Sequence, residues 1–283
     1  MSAVVRVPAS SANLGPGFDT LGMALGLHAE LGFVDSGTPD GAHEADEHHP
    51  ATIAFRRIGG VGRLWVRSSI PIGRGMGYSG AMRVGGIVTA HLQQHGAAED
   101  ELIAARPQWL GVATELEGHA DNAAASIYGG VVATAAGRAV RIPMPFDPMA
   151  VLWAPSSTTS TEASRATLPT TLSFADAVFN VGRTALLVAA FAAGDVAALR
   201  DATEDRMHQS VRLQAAAPSR IALEAALAAG AWCGWLSGSG PTIATLCRHD
   251  AVDAVVAAMA AVPEPASTKV LRLDHAGAVI EAS

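Results

Sequence analysis

One stretch decides how this chain is organised: Pro71-Ile72-Gly73-Arg74-Gly75-Met76-Gly77-Tyr78-Ser79-Gly80. Apolar residues precede it, and a segment compatible with a helix follows it from Ser79 to His95. The predicted order is therefore strand, glycine-rich loop and helix. Gly75 and Gly77 can adopt positive φ or let the backbone approach a ligand closely. Several backbone N–H groups would then face one concavity at the start of the helix, where the helix dipole also favours an anion such as phosphate.

The residue types limit the other interpretations of this stretch. The P-loop pattern G-x-x-x-x-G-K-[ST] requires a lysine, and Lys269 is the single lysine of the chain. The dinucleotide pattern G-x-G-x-x-G is loosely present from Gly75 to Gly80, but it does not lie in an opening βαβ unit. A glycine-rich turn without a ligand is the alternative. An exposed charge at a helix N-terminus contributes only about 0.3–1 kcal/mol, so a polyphosphate needs further donors or a metal, to which Ser79 could offer its hydroxyl.

Length and composition narrow the class of protein. The 283 residues predict one large domain or two smaller ones, and a hydrophobic fraction of 49% is ample for a core. The sequence contains no run of about 20 apolar residues without a charge, so we expect no membrane-spanning helix. The N-terminal residues lack the features of a signal peptide. Cys233 and Cys247 are predicted to be buried thiols rather than a disulfide framework. We expect a cytoplasmic protein that does not bind nucleic acid, because its net charge is −7.

The apolar pattern divides the chain into two halves. We predict strands at 3–7, 21–34 and 63–70, a hairpin over 131–142, and helices at 51–58, 79–95 and 108–116 in the first half. The second half alternates strands with helices, including a long helix over 174–193 and helix over 195–201 and 204–212. This alternation favours an antiparallel α+β sheet. The proline-rich segment 143–148 predicts a boundary between two domains, 1–147 and 148–283.

Two polar segments of the first half are predicted to be loops. Residues 8–19 are rich in turn-forming types and contain Asn13 and Asp19. The acidic stretch 35–50 contains His43, His48 and His49, which could form a metal cluster. We interpret it as a solvated surface loop, because nothing in the spacing fixes a tetrahedral geometry.

Motifs in three separated places resemble the GHMP kinases. They are Val7-Pro8-Ala9-Ser10-Ser11-Ala12-Asn13-Leu14-Gly15-Pro16-Gly17-Phe18-Asp19, the glycine-rich run 71–80, and Leu236-Ser237-Gly238-Ser239-Gly240-Pro241-Thr242. Segments 117–122 (Glu-Gly-His-Ala-Asp-Asn), 161–165 and 205–212 are similar to those of one branch of that family, the homoserine kinases. The matches are collinear from residue 4 to about residue 246.

The resemblance implies an ATP-dependent kinase with the α+β, two-domain GHMP kinase fold. Its N-terminal half would resemble domain 2 of ribosomal protein S5, and its C-terminal half would be ferredoxin-like. The ATP phosphates would lie against Pro71, Gly73, Arg74, Gly75, Met76, Gly77, Tyr78, Ser79 and Gly80. By position, Ser79 and Glu117 would hold Mg²⁺, and Asn13, Asp19, His119, Asn122, Arg165 and Arg212 would line the site of the substrate L-homoserine. The family also makes a homodimer plausible.

The chemistry of these residues suits an amino-acid substrate. Arginine binds a carboxylate bidentately, and Asp19 could accept hydrogen bonds from the ammonium group. The implied catalytic set is Glu117, Asn122 and Ser79. Asn122 stands where mevalonate kinases carry a catalytic aspartate, and homoserine kinases also have Asn there, so no dedicated general base is implied. Catalysis would then rest on positioning, Mg²⁺ and electrostatic stabilisation.

Departures from the family pattern keep two alternatives open. Tyr78 replaces a small serine of the glycine-rich run 71–80, which we call the phosphate loop. Its side chain could crowd the phosphates or point away from them. Ala120 and Ala125 replace prolines, and Val211 replaces a tyrosine. The alternatives are a GHMP-fold kinase for another small hydroxyl substrate and a nucleotide-binding pseudokinase. His208 is predicted to be a packed or surface helix residue rather than a ligand.

Overall fold

Two antiparallel sheets and the helices on them make up the structure. The computed structural model describes residues 3–282. The first sheet contains β1 Ala3–Ala12, β2 Leu21–Phe33, β3 His43–Glu44, β4 Leu64–Ser68, β5 Val131–Ala135, β6 Arg138–Ile142 and β11 Val279–Ala282. The second contains β7 Met149–Pro155, β8 Cys233–Leu236, β9 Ile243–Cys247 and β10 Ala266–Leu271. The helices are α1 Pro50–Arg57, α2 Tyr78–His95, α3 Glu99–Glu117, α4 Asp121–Tyr128, α5 Thr161–Ala166, α6 Phe174–Ala193, α7 Leu199–Ala202, α8 Gln209–Ala215, α9 Ala217–Ala228 and α10 Val252–Ala260.

The long strand β2 organises the first sheet. It pairs with β1 along one side, and with β5 and β4 at the two ends of its other side. Helices α2 and α4 pack on this sheet. A Cβ on Gly86 of α2 would lie 2.1 Å from the carbonyl oxygen of Ala51 in α1, and one on Gly85 would lie 2.4 Å from Leu31. The glycines therefore lower the helix propensity of α2 but allow it to approach its neighbours closely.

The second sheet has the order β10-β7-β9-β8, which is fourth, first, third and second along the chain. That antiparallel order, with helices inserted between the strands, is the ferredoxin-like arrangement. Helices α9 and α10 pack on it. The last strand, β11, returns to the first sheet and pairs with β1. The domain boundary at residue 147 stays a prediction.

Several sequence-based boundaries differ from the structure, and the helix predicted over 195–201 begins only at Leu199. Strand β1 continues to Ala12, five residues beyond the predicted end, with a register shift between Pro8 and Ala9. Helix α3 begins at Glu99 rather than at Gln108 and contains Pro107. Residues 204–208 do not continue a helix, because the Asp205 carboxylate accepts the N–H groups of the residues that follow it.

Helix α6 was predicted with its observed bounds, and one of its faces is exposed. Leu187, Ala190 and Phe191 are buried, whereas Phe174 and Val181 are exposed. The helix is long and apolar enough to cross a membrane by length and composition alone. Of its 18-residue apolar segment, 22% is buried. It carries Asp176 and Arg183 and packs against α7 and β6. The absence of a membrane partner stays a prediction.

The acidic stretch 35–50 is largely exposed, as predicted for a surface loop. His43 and His48 are exposed, and His49 is partly buried against α2. Among residues 3–282, the groups spaced closely enough to ligate a metal are instead Asp19, His119 and Asp121.

Candidate active site

A chain of hydrogen bonds joins the three glycine-containing motifs. Trp235 Nε1 donates to Ser11 Oγ at 2.9 Å, and Ser11 Oγ lies 2.7 Å from Ser237 Oγ. The Ser237 hydroxyl donates to the Gly75 carbonyl at 2.6 Å, so Ser11 must supply the proton between the two serines. All three side chains are buried. The network therefore fixes β1 and the glycine motif 236–242 against the phosphate loop, and its longest link, between Ser11 and Ser237, spans 226 residues of sequence.

Positive φ angles shape the phosphate loop. Gly73, Gly75 and Gly77 have φ of 68°, 66° and 67°. A Cβ on Gly75 would lie 2.1 Å from the Ser237 carbonyl oxygen, so this position also requires glycine for space. Helix α2 begins after Gly77 without a side-chain cap. The N–H groups of its first turn are therefore available to an anion.

The side chains of this loop point in different directions. Met76 is buried in the core and contributes its backbone to the loop. Arg74 is partly exposed and its guanidinium lies 3.4 Å from the Ser156 carbonyl oxygen. The Tyr78 hydroxyl lies 3.1 Å from His49 Nε2. The ring is therefore held against α1, which is the second of the two orientations that the sequence left open.

Ser79, in the first turn of α2, meets Glu117, the last residue of α3. Ser79 Oγ donates to Glu117 Oε1 at 2.5 Å, and the Arg83 guanidinium contacts the same carboxylate oxygen at 2.5 Å. Arg83 also donates to the Leu116 carbonyl. Two adjacent hard oxygen donors beside a phosphate loop suit Mg²⁺, which takes few protein ligands and completes its shell with water and phosphate oxygens. These two donors therefore fit Mg²⁺. The Arg83 guanidinium would compete with that ion for the Glu117 carboxylate.

A second polar group follows directly in the chain. The Asp121 carboxylate is buried and accepts from His119 Nδ1 at 2.9 Å and from the Asn122 backbone N–H at 2.7 Å. The hydrogen bond to Asp121 raises the pKa of His119, with smaller contributions from nearby carboxylates. The Ser10 hydroxyl donates to Asn122 Oδ1 at 2.9 Å. Asn122 is therefore oriented from two sides.

Asp19 and Arg165 form an ion pair on another wall of the site. The guanidinium binds both carboxylate oxygens, at 2.9 and 2.5 Å. The hydrogen bond to Asp19 raises the pKa of Arg165. The guanidinium groups of Arg165 and Arg212 lie 5.2 and 5.4 Å from the Phe18 ring centroid, within cation–π range. Phe18 thus brings two cations and one carboxylate together.

Arg212 is buried and has spare donors. Its Nη1 lies 3.2 Å from His208 Nδ1 and 3.3 Å from the Gly238 carbonyl oxygen, whereas its buried Nε has no partner among the described residues. Burial, and then the charge of Arg165, lower the pKa of Arg212. An incoming carboxylate would satisfy the spare donors and compensate the charge.

His208 supports Arg212, as a packed residue. Its Nε2 lies 2.8 Å from the Gly15 carbonyl oxygen, so this nitrogen carries the proton and Nδ1 accepts from Arg212. Burial lowers the pKa of His208 and favours this neutral form. The buried Asp205 carboxylate fixes the loop ahead of α8 by accepting from three backbone N–H groups and from Asn180.

One cavity of about 390 Å³ collects these groups. Every residue predicted for phosphate, metal or substrate contact lines it: Asn13, Asp19, Pro71, Gly73 to Gly80, Glu117, His119, Asn122, Arg165 and Arg212. The Asn13 side chain mainly holds the wall together, by donating to the Gly238 carbonyl and accepting from the Asp19 N–H. Asp19, His119 and Asp121 could be read as a metal cluster. Their partners Arg165 and Asn122 account for that clustering without an ion.

Sequence reasoning did not assign a role to several groups at the site. Phe18 and Asp121 lie inside recognised motifs, but only the structure shows the cations on Phe18 and the burial of Asp121. Arg83 was also missed. It follows Ser79 by four residues on a predicted helix, and this spacing places two side chains on one face.

Comparison with known proteins gives the family of the chain. Residues 47–130 match the family model described as GHMP kinases N terminal domain, and residues 187–264 match the one described as GHMP kinases C terminal. The solved homoserine kinase of Cytophaga hutchinsonii superimposes with a TM-score of 0.83 at 25% identity, covering 99% of this chain and 98% of that one. The mevalonate kinase of Methanococcus jannaschii shares the fold, with a TM-score of 0.67 at 12% identity over 96% of this chain and 98% of that one.

The chain belongs to the GHMP kinases, which use ATP as a substrate, and its predicted fold class is confirmed. Curated relatives show to which branch of this family the chain belongs. It is 39% identical to the homoserine kinase of Moorella thermoacetica over 264 residues, with 87% of each chain covered. It is 37% identical to that of Gloeobacter violaceus over 278 residues, covering 90% of this chain and 91% of the relative. Within the family the chain therefore belongs to the homoserine kinases.

Proposed function

We propose that this chain transfers the γ-phosphoryl group of ATP to the side-chain hydroxyl of L-homoserine. The hydroxyl oxygen forms a bond to the γ-phosphorus, the bond to the bridging oxygen breaks, and ADP, O-phospho-L-homoserine and the hydroxyl proton are released. One observation carries the proposal: a single cavity holds both the phosphate loop and the group formed by Asp19, Arg165 and Arg212. A phosphate donor and a zwitterionic amino acid can therefore lie beside each other.

The Asp19–Arg165 pair suits a zwitterion in particular. An ammonium group would bind Asp19 and a carboxylate would bind the arginines. The two charges of the substrate can therefore replace part of the ion pair between Asp19 and Arg165. Arg212 supplies donors that the protein leaves unpaired. Since these contacts fix the α-carbon end, they also fix the position of the hydroxyl, which is the main requirement for phosphoryl transfer.

Ser79 and Glu117 are the proposed holders of Mg²⁺. When bound, the ion neutralises phosphate charge as the γ-phosphoryl group is transferred. The N–H groups at the start of α2 bind the phosphates, and Asn122, oriented by Ser10 and Asp121, polarises or positions the acceptor. The proposed site has no dedicated general base, so positioning and electrostatic stabilisation supply the rate enhancement.

The test measures ADP release from Mg·ATP with matched acceptors. L-Homoserine is compared with 4-hydroxybutyrate, which lacks the amine, and with 3-aminopropan-1-ol, which lacks the carboxylate. L-Threonine, L-serine and mevalonate complete the panel. We expect turnover with homoserine to exceed turnover with either truncated acceptor, because each loses contacts that position the hydroxyl.

Glu117→Ala and Glu115→Ala form a matched pair of variants. Both residues lie in the last turn of α3, but Glu115 is exposed and pairs with Arg57 at the surface. Glu117→Ala should abolish turnover and Glu115→Ala should retain it. Preference for another alcohol would keep the kinase and replace the substrate, whereas ATP binding without any turnover would indicate a pseudokinase. The proposed reaction belongs to threonine biosynthesis in the cytoplasm, and a homodimer is expected from the family.

A further inference from the structure

Tyr78 occupies a part of the cavity that the acceptor site does not use. Its ring packs edge-on to His49, with centroids 6.3 Å apart, and Pro50 and Ile72 line the cavity with it. These residues come from α1, α2 and the start of the phosphate loop, whereas Arg165 and Arg212 come from α5 and α8. In the proposed reaction the γ-phosphate faces the acceptor, so the nucleoside must extend from the phosphate loop in another direction.

The hydrogen bonds of His49 fix the proton positions at Tyr78. His49 Nδ1 accepts from the Ala51 backbone N–H at 3.2 Å and so caps α1. A neutral imidazole then carries its proton on Nε2, which donates to the Tyr78 oxygen at 3.1 Å. Burial and the neighbouring His43 lower the pKa of His49, which keeps the ring neutral, and burial raises the pKa of Tyr78. The phenol oxygen is thus an acceptor toward His49.

The proton of the phenol remains free as a donor. Within residues 3–282, the Tyr78 hydroxyl has no hydrogen-bond partner except His49. Its oxygen is held in place by a residue whose other nitrogen is anchored to the α1 backbone. A fixed donor beside an apolar wall of Pro50 and Ile72 suits a planar heterocycle or ribose carrying acceptor atoms, since such pockets combine apolar contact with a few placed polar groups.

We propose that Tyr78 binds the nucleoside of the nucleotide, with its ring forming one wall and its hydroxyl, oriented by His49, donating to a nucleoside acceptor. The inference rests on the proposed use of ATP at this cavity. It makes Tyr78 a nucleotide-selecting residue placed within the phosphate loop but directed away from the phosphates. His49 is the positioning residue that presents its hydroxyl.

The experiment measures dissociation constants for Mg·ATP and for Mg·tripolyphosphate by calorimetry. The variants are Tyr78→Phe and, as the control, Tyr128→Phe, which alters the other tyrosine of the chain outside the cavity. Loss of one hydrogen bond should weaken ATP binding about two- to tenfold in Tyr78→Phe. Tripolyphosphate binding should stay unchanged in both variants, and Tyr128→Phe should bind both ligands like the wild type.

His49→Asn tests the positioning role. Asparagine retains an acceptor suited to the start of a helix, but its side chain is shorter than histidine and has no donor at the position of Nε2, so the hydrogen bond to Tyr78 is lost. We expect weaker ATP binding with unchanged tripolyphosphate binding, and no further loss when Tyr78→Phe is added, because both changes act on one hydroxyl. Additive losses would contradict the coupling of the two residues.

Other outcomes overturn the inference in distinguishable ways. Equal weakening for ATP and tripolyphosphate in Tyr78→Phe would place the hydroxyl on the phosphates. Unchanged ATP binding in that variant would show that the Tyr78 hydroxyl does not bind the nucleoside, and would overturn the proposed donor while leaving the proposed kinase reaction intact. A wild-type protein that binds neither ligand would overturn the proposed function itself.

Discussion

Replacing Arg212 with methionine tests how the site recognises a carboxylate. The change keeps much of the side-chain volume but removes a buried guanidinium whose Nε has no partner in the described protein. The remaining contacts of Arg212, to His208 and Gly238, are 3.2 and 3.3 Å long. The structure thus assigns this side chain few strong internal contacts and several donors for an anion.

The expected magnitude follows from the number of donors. A hydrogen bond between charged groups contributes about 1.5–3 kcal/mol, and a bidentate contact provides two such bonds. Removing the guanidinium should therefore cost about 3–6 kcal/mol of transition-state stabilisation with homoserine. This corresponds to a decrease in kcat/KM of about 150- to 25,000-fold.

The assay compares homoserine with 3-aminopropan-1-ol, which has no carboxylate. In Arg212→Met, kcat/KM should fall steeply for homoserine and change little for the amino alcohol. Arg220→Met is the control, because Arg220 is exposed and pairs with Glu224 one helical turn away. A parallel fall for both acceptors in Arg212→Met, with thermal stability retained, would refute carboxylate recognition and assign Arg212 another role.

Three further predictions concern the loop, the metal site and pH. Gly75→Ala should destabilise the protein by about 2–4 kcal/mol in denaturant unfolding, since its Cβ would lie 2.1 Å from the Ser237 carbonyl at positive φ; unchanged stability would contradict the packing described. Arg83→Met should bind Mn²⁺ more tightly in the presence of ATP, measured by electron paramagnetic resonance, because it removes the cation that contacts Glu117; weaker binding would show that Arg83 supports the metal site. The pKa of His208 is lowered in the folded protein, so the unfolded state binds the proton first as the pH falls. The free energy of unfolding should therefore decrease as the pH drops below about 6.5. His208→Gln should weaken this pH dependence, and an unchanged pH dependence would exclude His208 as its source.

The elements that the sequence predicted well are those with local causes. The hairpin of β5 and β6 and the long helix α6 follow from apolar periodicity and turn residues, which act over a few positions. The glycines of the phosphate loop follow from a local requirement for positive φ. Resemblance to a family then supplied candidate roles, and all the residues it selected line one cavity.

The misplaced boundaries arose where a tertiary contact outweighs a local signal. The sequence predicted α3 only from Gln108, but Leu102 and Ala105 pack against the core and extend the helix back to Glu99, through Pro107. Turn-forming residues suggested a loop after Val7, yet pairing with β2 extends β1 to Ala12. Both errors share a cause, because propensity is a weak preference that packing overrides.

By itself the sequence determined the phosphate loop, the helix behind it and the two α+β halves, since these depend on residue types close together in the chain. The tertiary structure alone decided the pairings that define the site. Asp19 meets Arg165 across 146 residues, Ser11 meets Ser237 across 226, and the Tyr78 hydroxyl lies against His49. No local pattern encodes such contacts, because they form only when the packed core brings separate helices and loops to one cavity.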